Sequence, residues 1–205
     1  MPCLPRRPLA VLALLAAALA LSGCIEVADI SAKWKACSID PALEGVWTSK
    51  EQDKEKKTLF IKQKDNWYLM TATGDDKAMA VRCFEAGGAQ FMIWVPIAQA
   101  VIGFDAEGAD KKGTVVHYAI RDGKLNFFAL DQDFLKQAIV AKEVAGTSND
   151  KESTKLTCLD DATCAFLGKA AGDKAHWQTF GGDMKKNDPA AAHKPVAPAG
   201  KPLTP

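Results

Sequence analysis

The chain has 205 residues, with 26 basic side chains against 25 acidic ones, and 48% of its residues are hydrophobic. Those figures bound one globular domain of ordinary size and lack the basic excess that nucleic-acid binding favours. Only four of the basic residues are Arg, so forked recognition of phosphate is scarce, and no nucleic acid is expected as a partner.

Arg6 and Arg7 precede an uninterrupted apolar run of 13 residues, Leu9 to Leu21. A helix needs roughly 20 such residues to cross the hydrocarbon core, so the run suits the apolar region of an export signal instead. It ends in Leu21-Ser22-Gly23-Cys24, which resembles the lipobox of bacterial lipoproteins. The resemblance implies that residues 1–23 are a signal peptide and that Cys24 becomes the mature N-terminus, carrying diacylglycerol on sulfur and an acyl chain such as palmitate on its amine. Two or more chains give stable anchoring where one does not, so membrane lipid is the first expected partner. Ile25, not Asp, follows the Cys, and by the sorting rule of enteric bacteria this implies the outer membrane, facing the periplasm.

Loss of the signal leaves 24 basic against 25 acidic residues. Four thiols then remain beside Cys24: Cys37, Cys83, Cys158 and Cys164. An even number in an exported chain predicts two disulfides with three possible connectivities, and the local pairing, 37–83 with 158–164, is expected. Zinc needs close Cys pairs or a Cys/His cluster, and the spacing supplies neither. No metal or cofactor is expected.

In chain order, residues 24–41 read as a lipidated tether that becomes ordered at Cys37. Residues 42–180 form the folded domain. Glu44–Thr48 is a first predicted strand, followed by a charged turn, Lys50–Lys57. Thr58–Gln63 and Trp67–Thr73 face each other across Lys64-Asp65-Asn66. Ala78–Glu85 and Ala89–Val95 flank Ala86-Gly87-Gly88, and Thr114–Arg121 and Leu125–Leu130 flank Asp122-Gly123-Lys124; both are hairpin signals. The apolar segment 96–103 follows a Pro and fits a strand or a short lid equally. Asp131 caps a predicted helix through Ala141, with Phe134, Leu135, Ala138 and Ile139 on one face. Lys142–Gly146 is a candidate closing strand, and Asp160 or Asp161 caps a second helix that ends at Gly172. Residues 181–205 are Pro-, Ala- and Lys-rich, with too little apolar surface to offset ordering entropy, and read as a disordered tail. The fold class is mainly β: an antiparallel meander of about eight strands with one or two short helices, curved or closed so as to hide its edges.

The order of these pieces, and Leu43-Glu44-Gly45-Val46-Trp47 in particular, resembles the lipocalin-like (calycin) barrels and bacterial lipoproteins built on that plan. Gly45 and Trp47 match the Gly-x-Trp signature of the first lipocalin strand, where Trp plugs the closed end. The resemblance implies Arg121 as the arginine packed over that Trp. The second lipocalin motif, Thr-Asp-x-x-Tyr, is missing, and the likeness spans about residues 40–175.

Catalytic chemistry is thinly supplied. The mature chain has three His, at 117, 176 and 193, and only His117 falls in a predicted strand, where alternation groups it with Val115 and Ala119. No nucleophile elbow, HExxH helix or glycine-rich phosphate loop occurs. Asp75-Asp76 reads as turn chemistry and Asp160-Asp161 as capping, because calcium asks for six to eight oxygens. The expected function is therefore non-catalytic: an envelope lipoprotein that binds a small hydrophobic ligand or lipid, with His117, Trp94 and Tyr68 lining the lumen. The alternative is a filled barrel that contacts or inhibits another envelope or secreted protein.

Overall fold

The computed structural model describes residues 25–51, 54–73, 77–97, 112–148 and 154–187. Cys24, the Asp75-Asp76 pair, residues 98–103 of the apolar segment and residues 188–205 lie outside them.

Tight turns organise the strands β2 (Gly45–Glu51), β3 (Lys54–Lys62), β4 (Tyr68–Ala72), β5 (Met79–Ala86), β6 (Ala89–Pro96), β7 (Gly113–Arg121) and β8 (Lys124–Leu130). Gly87 and Gly88 take φ 59° and 77°, and Asp122 and Gly123 take 51° and 68°. Two consecutive positive φ values give the type I′ twist that matches flanking strands, and Ala86↔Ala89 and Arg121↔Lys124 pair directly across these turns. The charged stretch expected as a turn between β2 and β3 is itself mostly strand, with Lys50↔Glu55 and Ser49↔Lys56 in register.

From β2 to β8 each strand pairs antiparallel with the next, and β11 (Trp177–Lys186) pairs with both β8 and β2. Eight strands thus close into a barrel, which leaves that sheet without free edges. The closing strand is not Lys142–Gly146, of which only Gly146 is in a strand, the two-residue β9 (Gly146–Thr147). It is β11, which runs through the expected boundary between domain and tail at 180. A register shift between Phe180 and Met184, with Gly181 at φ 76°, bends this strand around the barrel. That bulge interrupts the alternation by which a strand is read from sequence.

The expected tether is also corrected. Ile25–Asp29 is strand β1, and Ser31–Ala36 is helix α1. β1 pairs antiparallel with the first half of β7 (Ile25↔Val115) and parallel with β10 (Lys155–Cys158), which in turn pairs with β9. The edge of β7 is therefore shared: Gly113–Val115 bond β1, and His117–Arg121 bond β8. This fork sends three strands off the barrel wall.

Helix α2 (Gln132–Val140) is capped by Asp131, whose carboxylate accepts from Phe134 N at 2.8 Å, and α3 (Asp161–Ala171) by Asp160, which accepts from Thr163 N at 2.8 Å. With α1 and β1 they bury the outer face of strands β5–β8 beneath a second core that includes Ile25, Ile30, Phe91, Leu135 and Leu167. α3 lies so close to the β5–β6 turn that a Cβ on Gly168 would stand 2.7 Å from the Ala86 and Gly87 backbone.

Candidate functional site

Gly45 has φ +116°, a conformation that side-chain-bearing residues rarely adopt. It turns the chain into β2 so that Trp47 enters the barrel, 1% exposed, with Nε1 donating to Leu43 O at 2.7 Å. The cation over its ring is Lys186, at 5.4 Å, in place of Arg121. Lys186 arrives on β11 paired directly with Trp47 and also donates to Ala42 O at 2.9 Å, a neighbour visible only once β11 closes the barrel.

The lumen is filled. Trp47, Phe60, Tyr68, Met92, Tyr118 and Leu125, each from a different strand, are at most 1% exposed in one inner cluster. Eight strands enclose just enough room for side chains to fill. Tyr68 belongs to this cluster, and Trp94 packs against it with its ring edge-on to Phe127 at 5.5 Å. His117 does not. Alternation on β7 puts Val116 and Tyr118 inside, so His117 faces out, packed among Phe91, Phe128 and Trp177 with ring centroids at 5.2, 4.8 and 4.9 Å. Its Nδ1 is buried without a partner, and burial, with a contribution from Arg121, holds its pKa down to about 4. It packs, half-buried, between the barrel wall and the outer layer, in surroundings that favour its neutral form.

Two cavities lie at the barrel's ends. At the upper end, where β6 leaves and β7 enters, a cavity of about 290 Å³ is bounded by Val27, Ala28, Met79, Trp94, Pro96 and Thr114, with Glu26, Lys112 and Lys155 adding charge. The Lys155 ammonium lies 2.8 Å from Glu26 Oε2. Trp94 Nε1 is buried and has no hydrogen-bond partner. Sequence reading found Trp94 but missed the β1 and β10 side of this cavity. The signal was present in Ile25-Glu26-Val27, an apolar–polar alternation that a tether does not need.

At the lower end a cavity of about 530 Å³ is lined by Ser38, Asp40, Cys83, Glu85, Gln90 and Tyr118 among others. Tyr118 OH donates to Asp40 Oδ2 at 2.8 Å, and Tyr68 OH to Asp40 O at 3.0 Å. Burial raises both phenols, Tyr68 to about 12, so they stay protonated donors. The Cys83 thiol is also pushed up by burial, to about 11, which is the opposite of nucleophile activation.

The four described cysteines are free, and the expected pairings are corrected. Cys83 faces the lumen while Cys37 belongs to the outer core, so the barrel wall separates them. Cys158 is partly exposed and its thiol contacts Asp160 Oδ2 at 3.3 Å, whereas Cys164 lies on the buried face of α3. Among the described residues no group of three or more His, Cys, Asp or Glu side chains could hold a metal ion.

No family model matches the chain, and neither does any curated protein or solved structure.

Proposed function

We propose that the chain is a non-catalytic binding module of the bacterial cell envelope, anchored by acylated Cys24 and taking one small amphipathic molecule at the upper end of its barrel, outside the filled lumen. Trp94 carries this reading. Its ring walls the upper cavity, and its Nε1 lacks an acceptor. A buried unmet donor costs about 1–3 kcal/mol, which a carboxylate or carbonyl on a bound molecule would relieve. Val27, Met79 and Pro96 suit a short hydrocarbon chain, and two lysines on the same lining, Lys112 and the Glu26-paired Lys155, against the one carboxylate of Glu26 leave it a positive balance that suits an anionic head. Because Ile25 is already in β1 and fully buried, an acyl group on Cys24 would hold the barrel against the bilayer without a tether. The outer membrane, facing the periplasm, is the location that Ile25 after Cys24 supports.

Native mass spectrometry on residues 25–187, exported without lipid, tests this. The expected result is an added mass that leaves on denaturation. Calorimetric titration with a medium-chain fatty acid should then show affinity falling about tenfold in Trp94→Phe, the loss of one hydrogen bond to a charged acceptor. A bare mass together with no fatty-acid binding refutes it. The filled lumen would then favour the second reading, a barrel that contacts or inhibits another envelope protein, to be sought by cross-linking in intact cells.

A further inference from the structure

The bridge between Ser38 and Cys83 decides which thiols can meet. Ser38 N donates to Cys83 O at 3.1 Å and Cys83 N to Ser38 O at 2.8 Å, so the next antiparallel register pair is Cys37 opposite Phe84. Side chains alternate faces along a strand. Cys83 therefore points into the lumen, beside Tyr118, and Cys37 points with Phe84 into the outer core.

Cys164 reaches the same place from α3. It lies one helical turn before Gly168, which rests on Ala86 and Gly87 at the end of β5. Lys33, one turn before Cys37 on α1, ties the two together. Its ammonium sits 5.3 Å from the centre of the Phe84 ring, and its positive charge acts on the Cys164 thiol, pulling against the rise that burial causes. Cys37 and Cys164 are each within electrostatic reach of this same lysine, and Cys37 is within reach of Cys164. Both thiols are buried, at 9% and 6% exposure. α1, α3 and the end of β5 thus meet in one outer core, and Cys37 and Cys164 both belong to it.

We propose that Cys37 and Cys164 are the disulfide-forming pair of this protein, joining α1 to α3, and that Cys83 and Cys158 remain thiols. This stands apart from the ligand reading. The oxidant is a protein or small-molecule disulfide. One thiol, as thiolate, attacks a sulfur of that disulfide to form a mixed disulfide. The second thiolate then displaces it, so the Cys37–Cys164 bond forms and the oxidant leaves reduced. The oxidant's own S–S bond is broken in the exchange, and its two sulfurs, in one molecule or two, carry off the two electrons and take up the two protons the cysteines lose. Burial holds the Cys37 thiol up at about 12, so in the folded protein the exchange is slow. The bond forms while α1 is still undocked.

Peptide mapping of the proposed mature chain, which lacks Cys3 and whose Cys24 sulfur carries the lipid, tests the pairing. The protein is unfolded, refolded in a mixture of reduced and oxidised glutathione, alkylated without reductant and digested. The expected result is one cross-linked peptide pair joining Cys37 to Cys164, with Cys83 and Cys158 alkylated. Cys37→Ala and Cys164→Ala should each abolish that link. The wild-type protein should melt higher oxidised than reduced, a difference both variants lose. A Cys37–Cys83 or Cys158–Cys164 link overturns the proposal. So does finding all four alkylated in refolded protein, a result that needs no variant to fold.

Discussion

His117 shows how one residue's surroundings set its role. Phe91, Phe128 and Trp177 enclose its ring, and its pKa is held at about 4, against about 6.5 in an unfolded chain. The folded state thus binds the proton less well than the unfolded state. Above pH 6.5 both states are neutral and the group has no effect on stability. As pH falls from 6.5 towards 4 the unfolded chain protonates first, and stability declines by up to about 3 kcal/mol. Replacing His117 with Phe, which suits an aromatic setting, should flatten this part of the melting temperature–pH profile followed by circular dichroism; an unchanged slope would show that His117 is not its source. Gly45 is a second case at this scale. Its φ of +116° makes Gly45→Ala strained even though the added Cβ would meet only the Lys186 side chain at 3.5 Å. The expected loss is about 1–3 kcal/mol, measured by urea unfolding, and a loss near zero would mean the backbone relaxes freely there.

Helix α3 is held by proximity as much as by its apolar face. Its Asp160 cap and buried Phe166, Leu167 and Ala170 orient it, and Gly168 lets it lie directly on the β5–β6 turn. A methyl group at Gly168 would stand 2.7 Å from peptide atoms of Ala86 and Gly87, and backbone cannot step aside as a flexible side chain can. Gly168→Ala should therefore push α3 outward and cost about 1–3 kcal/mol, while raising hydrogen exchange in α3 more than in β3 and β4. Uniform exchange across the molecule would count against this local picture. The β2–β3 hairpin contrasts with it. Lys54–Lys57 are exposed, so on the β3 side the ladder Thr48↔Lys57 to Glu51↔Lys54 rests on its own hydrogen bonds, while on the β2 side Ser49 is buried and Thr48 also pairs with Lys185 of β11.

At the scale of the whole molecule, two cores share one wall. The inner cluster fills the barrel, and the outer cluster lies between the barrel and the layer formed by β1, β9, β10 and the helices. Both ends of the described chain are structural. β1 supplies Ile25 and Val27 to the outer core, and β11 supplies Met184 to the inner one. A chain of residues 25–187 should unfold in one cooperative step. Ending it at residue 180 removes the pairs Met184↔Leu125 and Lys185↔Thr48, opens the barrel and should abolish or broaden that transition. Starting it at residue 38 instead removes β1 and α1, and should leave an exposed apolar face that binds a hydrophobic dye. A tightly folded product from either truncation would refute this account of the termini.

Local chemistry in the amino-acid sequence was enough to place the two I′ hairpins, the cap at Asp131, the second cap to within Asp160 or Asp161, and strands β2 and β4–β8 to within a few residues, because turn residues and alternation act over short spans. Gly45 and Trp47 were legible for the same reason. Nothing local reveals which face of a strand turns inward, so His117 was grouped correctly with Val115 yet expected in the lumen. Closure by β11, the fork at β7, Lys186 over Trp47 and the separation of Cys37 from Cys83 all depend on contacts between distant segments. Ile25–Asp29 has a strand's alternation but finds partners only in Gly113–Val115 and Lys155–Cys158, and the upper cavity exists only where those segments meet Trp94. The sequence by itself determined most strands from β2 to β8, helices α2 and α3, their turns and a mainly β fold. The tertiary structure alone decided which face is core, which strand closes the barrel and which residues share a site, because burial is set by what packs against a residue rather than by what precedes it.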